Sequence, residues 1–439
     1  MSVIKGRVSD FLKKYGMDHE SVDLEANRGI FAEEMKKGLD TAAGSSLMMI
    51  PTYISMDKEI PVNEPVIVID AGGTNFRVAV VYFDSNKKPV IEDFKMYSMP
   101  GIKGEISKDE FFDTIAEYVI PVINKSSKIG FCFSYPTEIL PSKDGRLIKF
   151  SKEIKARGVD GELIGANLLE ALKKRGYTEE KNIVLLNDSV ATLLGGRASY
   201  PDRVFDSYIG FILGTGTNTC YIEKTANISK IPEFKNADGS MIINLESGNY
   251  SMAPRGQIDI EFDSGTVNPG GYVFEKTISG AYQGGIMLAV IRKAAEEGLF
   301  SEAFKEKLLA VKELSSKEID DFLYYPYGSS ILASCCSRDE NGDDHRTLYF
   351  IIDAIIERAA KFVTFNLTAV MMKTGKGADP CAPICITADG STFYKSKLFR
   401  TKLDYYVKTF TNDRKHLYCE FVKAENGTLI GTAIAGLLN

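Results

Sequence analysis

The apolar residues of this chain fall in short runs broken by polar turns, and the rhythm of those runs changes along the sequence. The clearest block is VIVIDAGGTNFRVAVVYF, residues 66–83, where two runs of strand length flank a tip that carries a carboxylate and two glycines. Packing needs neither at that position. Strands are predicted over 66–69, 77–83 and 90–99, followed by a helix opening at SKDE, where Ser107 and Glu110 have capping-box spacing. The alternation continues with a strand in KIGFCFSYP, an amphipathic helix in DGELIGANLLEALKKRG, a strand in NIVLLND and a helix in SVATLLGGRAS. Strands alternating with helices make an α/β sheet. Residues 10–37 and 39–47 also read as helices, as do 274–297 and 348–373. PICITADGSTFY and LYCEFVKAEN follow, and a closing apolar helix begins at Leu429.

Two turn-rich stretches divide this pattern. DKEIPVNEP is a candidate hinge before the first strand. YPDRVF precedes SYIGFILGTGTNTCYIEK, where a second domain is expected to begin. Both blocks open alike, because IDAGGTNFRVAVV and ILGTGTNTCYI each run apolar strand, Gly-Thr-Asn turn, apolar strand. At 439 residues the chain exceeds one core of ordinary size, which favours two domains, or one plus a large insertion, and makes a cleft between domains plausible.

Composition narrows the function classes. Lys plus Arg is 53 and Asp plus Glu is 59, a formal charge of −6 without long single-sign runs, so nothing recommends nucleic acid or an anionic membrane as a partner. No stretch approaches the roughly 20 apolar residues of a membrane span, and MSVIKGRVSDFLKKYG lacks a signal-peptide core, so a cytoplasmic location is expected. Seven cysteines, an odd number set mostly in apolar runs, read as free buried thiols. Cys381 and Cys385 have no second pair or nearby His to complete a zinc set. His19, His345 and His416 lie outside every motif, so a histidine base has little support.

The turns are where chemistry enters. Gly72 and Gly73 allow unusual torsions and close approach of backbone N–H groups to an oxyanion. Thr74 and Asn75 add side-chain hydrogen bonds, Arg77 offers a forked cation, and Asp70 could hold a hydrated magnesium ion. A glycine pair alone reads more readily as a tight hairpin, which commonly uses such residues. The repeat of the device at Gly214–Asn218 favours two phosphate-gripping hairpins facing one cleft, the arrangement of the actin-like ATPases.

Within that superfamily the chain resembles the hexokinase family. The family's FSFP and WTK elements appear as FSYP and FSK, and its helix entry as GVDGELI; IPTYI, NDSVATLL, NLESG, NPGGYVFEKTISG and ADGS extend the resemblance over nearly the whole chain. The resemblance implies a two-domain actin-like (ribonuclease H-like) α/β fold with an interdomain active-site cleft. It implies that Asp188 is the catalytic base, although an Asp before SVATLL is also good N-cap chemistry. It implies sugar contacts from Ser134, Ser151, Lys152, Asn187, Asp188, Asn218, Glu246 and Glu275, with Lys152 also offsetting charge on the transferring phosphoryl group. On the nucleotide side it implies Asp70, Gly72, Gly73, Thr74, Asn75 and Arg77, then Gly214, Thr215 and Gly216, and Asp389, Gly390 and Ser391 for adenosine.

Three departures stand out. Ser151 replaces a usual threonine, Ser247 stands where many members carry tryptophan beside the sugar, and GTLIGTA replaces a glycine and a basic residue by Leu429 and Ile430. The expectation is an enzyme that uses ATP and Mg2+ to phosphorylate the 6-hydroxyl of a hexose, most simply glucose, for glycolysis. The small domain would comprise 66–200 plus about 426–439, and the large domain 1–62 plus 204–425. Alternatives are a kinase of mannose or fructose, a catalytically silent sugar sensor, and a chaperone or filament ATPase, for which no partner-binding region is found.

Overall fold

The computed structural model describes residues 2–41, 44–56, 58–150, 154–337 and 343–438, so Ser151 and Lys152 lie outside the described residues. The chain opens with α1 (Ser2–Lys14), α2 (Leu24–Asp40) and a short β1 (Ile50–Pro51). The single helix expected over 10–37 is therefore two. Gly16 takes a left-handed φ of 65° after α1, and the Asp23 side chain caps α2 by accepting from the Glu25 and Ala26 amides. The helix expected over 39–47 ends at Asp40, where Thr41 is extended; beyond it Ser45 and Ser46 bond back to Glu34.

The first sheet is built from β2 (Val66–Ala71), β3 (Asn75–Phe83), β4 (Pro89–Ser98), β5 (Lys128–Phe133) and β6 (Asn182–Leu186). Helix α3 (Lys108–Val119), capped by the Ser107–Glu110 box as predicted, α4 (Ile164–Lys174) and α5 (Asp188–Ser199) connect or follow these strands. The order is β4-β3-β2-β5-β6; the two pairings within β4-β3-β2 are antiparallel and the others parallel. Every residue of β2 is buried, as suits a central strand covered on both faces.

The second sheet uses β7 (Ser207–Leu213), β8 (Thr217–Lys224), β9 (Ser240–Asn244), β10 (Ile384–Asp389) and β11 (Cys419–Val422), with β1 at its edge. Its order, β1-β9-β8-β7-β10-β11, repeats the antiparallel meander followed by two parallel strands. The duplicated device read in the sequence is thus a duplicated sheet. Helices α6 (Gln257–Ser264), α7 (Val273–Ile278), α8 (Gly280–Glu296) and the long α9 (Asp343–Thr374) cover it. The helix expected over 274–297 is broken at Ser279, which is extended (φ −85°, ψ 157°).

The closing helix α10 (Gly427–Leu438) and α5 lie between the two sheets. One apolar cluster joins Val68 and Leu186 of the first sheet, Val190 and Leu194 of α5, Ile434 of α10, and Cys220 and Ile242 of the second sheet. The helices approach closely because Gly431 has no side chain; a Cβ there would fall 1.8 Å from the Ala191 carbonyl oxygen. Among the described residues no helix is long and apolar enough to cross a membrane.

Candidate functional site

Side chains from both sheets converge on a cleft of about 210 Å³ lined by Asp70, Gly72, Gly73, Thr74, Asn75, Arg77, Ser134, Asp188, Ile212, Asp389, Gly390 and Thr428. The β2–β3 ladder closes at Ala71–Phe76, which leaves residues 72–75 as the tip. The Gly72 amide donates to the Asn75 carbonyl (3.0 Å), while the Gly72 carbonyl accepts the Tyr135 hydroxyl (2.8 Å). Gly72 is not in the left-handed region, and a Cβ there would meet nothing nearer than 3.6 Å. Its value is therefore open space over the turn rather than the special torsions expected.

Asp70 and Arg77 are cross-strand partners at the base of this turn, joined at 2.8 Å. Burial lifts the Asp70 carboxyl above its ordinary range against the pull of Arg77, and the charge of Asp188 adds to the rise. A buried acid with a second carboxylate beside it, at a glycine turn, suits a cation with phosphate ligands. Among the described residues no group of three or more His, Cys, Asp or Glu gathers to hold a bare metal ion. All seven cysteines are free; Cys381 is exposed, against the expectation of buried thiols, and Cys419 is half-buried.

The N-cap question at Asp188 is answered by its neighbour. The Asn187 side chain accepts from the Ser189 amide (2.9 Å) and hydroxyl (2.8 Å), so Asn187 is the cap and Asp188 is the first helical residue, in the cleft lining. Asn187 also accepts from Asn218 (3.2 Å). Asn218 donates to Asn244 (2.8 Å) and Glu246 (3.2 Å), and Asn244 donates to Glu246 (2.8 Å). Glu246 sits in the left-handed region (φ 53°), a strained place for a non-glycine residue. Burial pushes its carboxyl up to about 7, and the charges of Asp188 and Glu275 push the same way.

Glu275 enters from α7, where its Oε2 accepts the Thr217 amide at 3.0 Å. Buried Lys276 next to it anchors the preceding loop by donating to Thr266 Oγ1 and the Asn268 carbonyl, both at 2.8 Å, and by pairing with Asp263. Tyr272, also left-handed (φ 51°), stands where both Glu246 and Glu275 raise its phenol beyond the effect of burial.

Of the residues named from the sequence, the first turn, Ser134, Asp188, Asp389 and Gly390 line the cleft together. Asn187, Asn218, Glu246 and Glu275 form the adjoining polar network. Gly214, Thr215, Gly216 and Ser391 do not line the cleft. Gly390 covers Gly214, whose added Cβ would meet the Gly390 Cα at 3.3 Å, and Thr215 and Ser391 are exposed. Three contributors were missed. Asn244 stood in view in NLESG, Thr428 in the altered GTLIGTA element, and Ile212 precedes the second turn. Leu429 and Ile430 point into the apolar layer between the sheets, which accounts for their character. Ser247 is fully buried and bonds Thr219 (3.1 Å), so it forms no wall of an open pocket.

The fold and the sequence both have counterparts among known proteins. Hexokinase family models match residues 7–198 and 208–438. The chloroplastic hexokinase-2 of Nicotiana tabacum is 30% identical over 434 residues, covering 93% of this chain and 85% of that protein. Human hexokinase-2 is 29% identical over 450 residues, 98% of this chain, but the chain spans only 47% of the human protein's length. Among solved structures, the Schistosoma mansoni hexokinase complexed with glucose has a TM-score of 0.78 at 23% identity, with 99% of each chain covered. A glucokinase from an Antarctic psychrotroph superposes with a TM-score of 0.51 at 15% identity, covering 85% of this chain and 98% of that one. These two likenesses concern the fold.

Proposed function

Because the chain belongs to the hexokinase family, we propose that it transfers the γ-phosphoryl group of ATP to the 6-hydroxyl of a hexose, D-glucose in the first instance, giving hexose 6-phosphate for glycolysis. The observation that carries this reading is the meeting of a glycine turn, Asp70, Arg77 and Asp188 in one cleft, beside a network of amides and carboxylates suited to sugar hydroxyls.

Asp188 takes the proton of the 6-hydroxyl as that oxygen bonds to the γ-phosphorus, and the bond from the γ-phosphorus to the β,γ-bridging oxygen breaks to release ADP. Asn187, Asn218, Glu246 and Glu275 hold the ring hydroxyls, with Ser134 and, from outside the described residues, Ser151 and Lys152. Lys152 and Arg77 offset charge on the transferring group. Gly72, Gly73, Thr74 and Asn75 meet the phosphates, as do Gly214, Thr215 and Gly216, while Asp389, Gly390 and Ser391 take the adenosine. Asp70 is fitted to hold Mg2+ through water, since its carboxyl is lifted by burial and by Asp188 and a cation would relieve both. Bound magnesium would neutralise phosphate charge.

The domain division belongs to the same proposal. Every strand of the first sheet falls within 66–200, every strand of the second within 1–62 or 204–425, and α10, within 426–439, packs on the first sheet. A cytoplasmic site is consistent with seven free cysteines, though the tobacco relative is named chloroplastic. The deciding experiment is ATP consumption with magnesium, with and without glucose, with sugar 6-phosphate read by a coupled dehydrogenase. Glucose-dependent ATP use matching product upholds the reading. Binding without turnover would indicate a sensor, ATP loss without sugar an ATPase, and turnover only with mannose or fructose a different hexose kinase.

A further inference from the structure

The second glycine turn is shaped from behind by the segment that carries Glu275. Oε2 of Glu275 accepts the Thr217 amide at 3.0 Å. It also lies so close over Gly216 that a Cβ there would come within 2.5 Å of it, and a Cβ on Gly248 within 3.3 Å. Helix α7 then ends and the chain enters α8, whose first amides bind the same turn: Gly280 donates to the Gly214 carbonyl at 2.8 Å and Ala281 to the Thr215 carbonyl at 3.2 Å. Thr392, beyond the ADGS element, adds its hydroxyl to the Gly214 carbonyl at 2.9 Å. The break at Ser279 thus has a purpose, because a continuous helix would have spent the Gly280 and Ala281 amides on its own turns.

We propose that Glu275 is a positioning residue for the second turn as well as a sugar ligand, so that its carboxylate sets nucleotide affinity through the Thr217 amide and Gly216 without touching the nucleotide. The inference rests on the reading of the cleft as a sugar kinase site. Oε2 binds the backbone of the turn, and the sugar role is the one assigned to Glu275 in the proposed function. The hydrogen bond to Thr217 is charge-assisted and half-buried, and it fixes the peptide that follows Gly216. Removing the carboxylate takes away the contact that fixes the turn at Gly216 and the Thr217 amide, leaving its links from α8 and Thr392 to the Gly214 and Thr215 carbonyls and its own ladder bonds. Adding a methyl at Gly216 pushes Glu275 off its position and should be felt on the sugar side, since an energetic coupling between two sites acts in both directions.

The test separates the two ligands and needs no turnover. Calorimetric titration with Mg2+ and a non-hydrolysable ATP analogue, in the absence of sugar, should show Glu275→Ala weakening nucleotide binding about 10-fold to 100-fold, the cost of one hydrogen bond to a charged group. Glu275→Gln keeps an acceptor for the Thr217 amide and should stay within about 3-fold of the parent for nucleotide while losing sugar affinity. Titration with D-glucose in the absence of nucleotide should show Gly216→Ala weakening sugar binding. The proposal is overturned if Glu275→Ala leaves the nucleotide dissociation constant unchanged. It is also overturned if Glu275→Gln, whose shape protects folding, loses nucleotide as badly as the alanine variant. A parent protein that binds neither ligand would instead bring down the kinase reading itself.

Discussion

The two glycine turns carry nearly the same sequence and sit differently in their sheets, and one residue of loop length separates them. In the first, the ladder closes at Ala71–Phe76 and the tip is 72–75; in the second, it closes at Leu213–Thr217 and the tip is 214–216. A shift of one residue changes the side on which the following side chains emerge. Asn75 therefore stands exposed at the cleft, whereas Asn218 pairs with Ile212 inside the ladder, is only 7% exposed, and bonds Asn187, Asn244 and Glu246. The base of the turn differs too. Asp70 and Arg77 form a cross-strand ion pair in the first, while the matching Leu213 and Cys220 are fully buried. A shared motif fixes a shape, and the register of its ladder decides whether the side chains that follow emerge at the cleft or inside the sheet.

The comparison can be broken most severely at the residue where the two halves meet. Asp188→Ala should lower the turnover rate by about 100-fold to 10,000-fold, the span of a lost general base, while sugar binding measured by calorimetry persists. A mild loss would reject Asp188 as the base. The asparagines test the register argument directly. Asn218→Ala strands buried acceptors and should cost about 1–3 kcal/mol of stability by chemical denaturation, whereas Asn75→Ala should stay within about 0.5 kcal/mol. Equal effects would mean that the two turns are equivalent after all.

A smaller effect is expected from pH. Burial raises the Glu246 carboxyl from its ordinary 4.5 to about 7, so the folded protein holds this proton more tightly than the unfolded chain does. The stability this contributes is complete below about 4.5 and is lost as pH rises through about 7. The melting temperature of the ligand-free protein should therefore fall between about pH 5 and pH 8 more steeply than that of Glu246→Gln, and parallel slopes would refute the assignment. The first turn alone is probed by Tyr135→Phe, which removes the hydroxyl that holds the Gly72 carbonyl. It should cost about 1 kcal/mol of stability and raise the KM for ATP a few-fold while leaving that for sugar unchanged.

The elements nearest the cleft were legible because their patterns are local. The strand at 66–69, the Ser107 cap and the helix after Asp188 each follow from residues within one or two turns of each other. The break at Tyr15–Asp23 was written locally in Gly16 and the Asp23 cap and is further held by a distant partner, whereas the break at Ser279 was not legible because a partner far away in sequence enforces it. The Tyr15 carbonyl takes the Gln257 amide (2.8 Å), and Gly280 turns to bind Gly214. Asn244 was overlooked for the same reason: an asparagine at the end of an apolar strand acquires meaning only when Asn218, from the neighbouring strand, and Glu246 are beside it.

The sequence by itself determined the alternation of strands and helices, the duplicated turn and the family, because periodicity and short motifs are written in consecutive residues. Tertiary structure alone decided which turn opens to the cleft, that Asn187 rather than Asp188 caps the helix, and that Glu246 shares its surroundings with Asp188 and Glu275. Those outcomes depend on ladder register and on carboxylates brought together from distant segments, where burial and mutual repulsion set the chemistry.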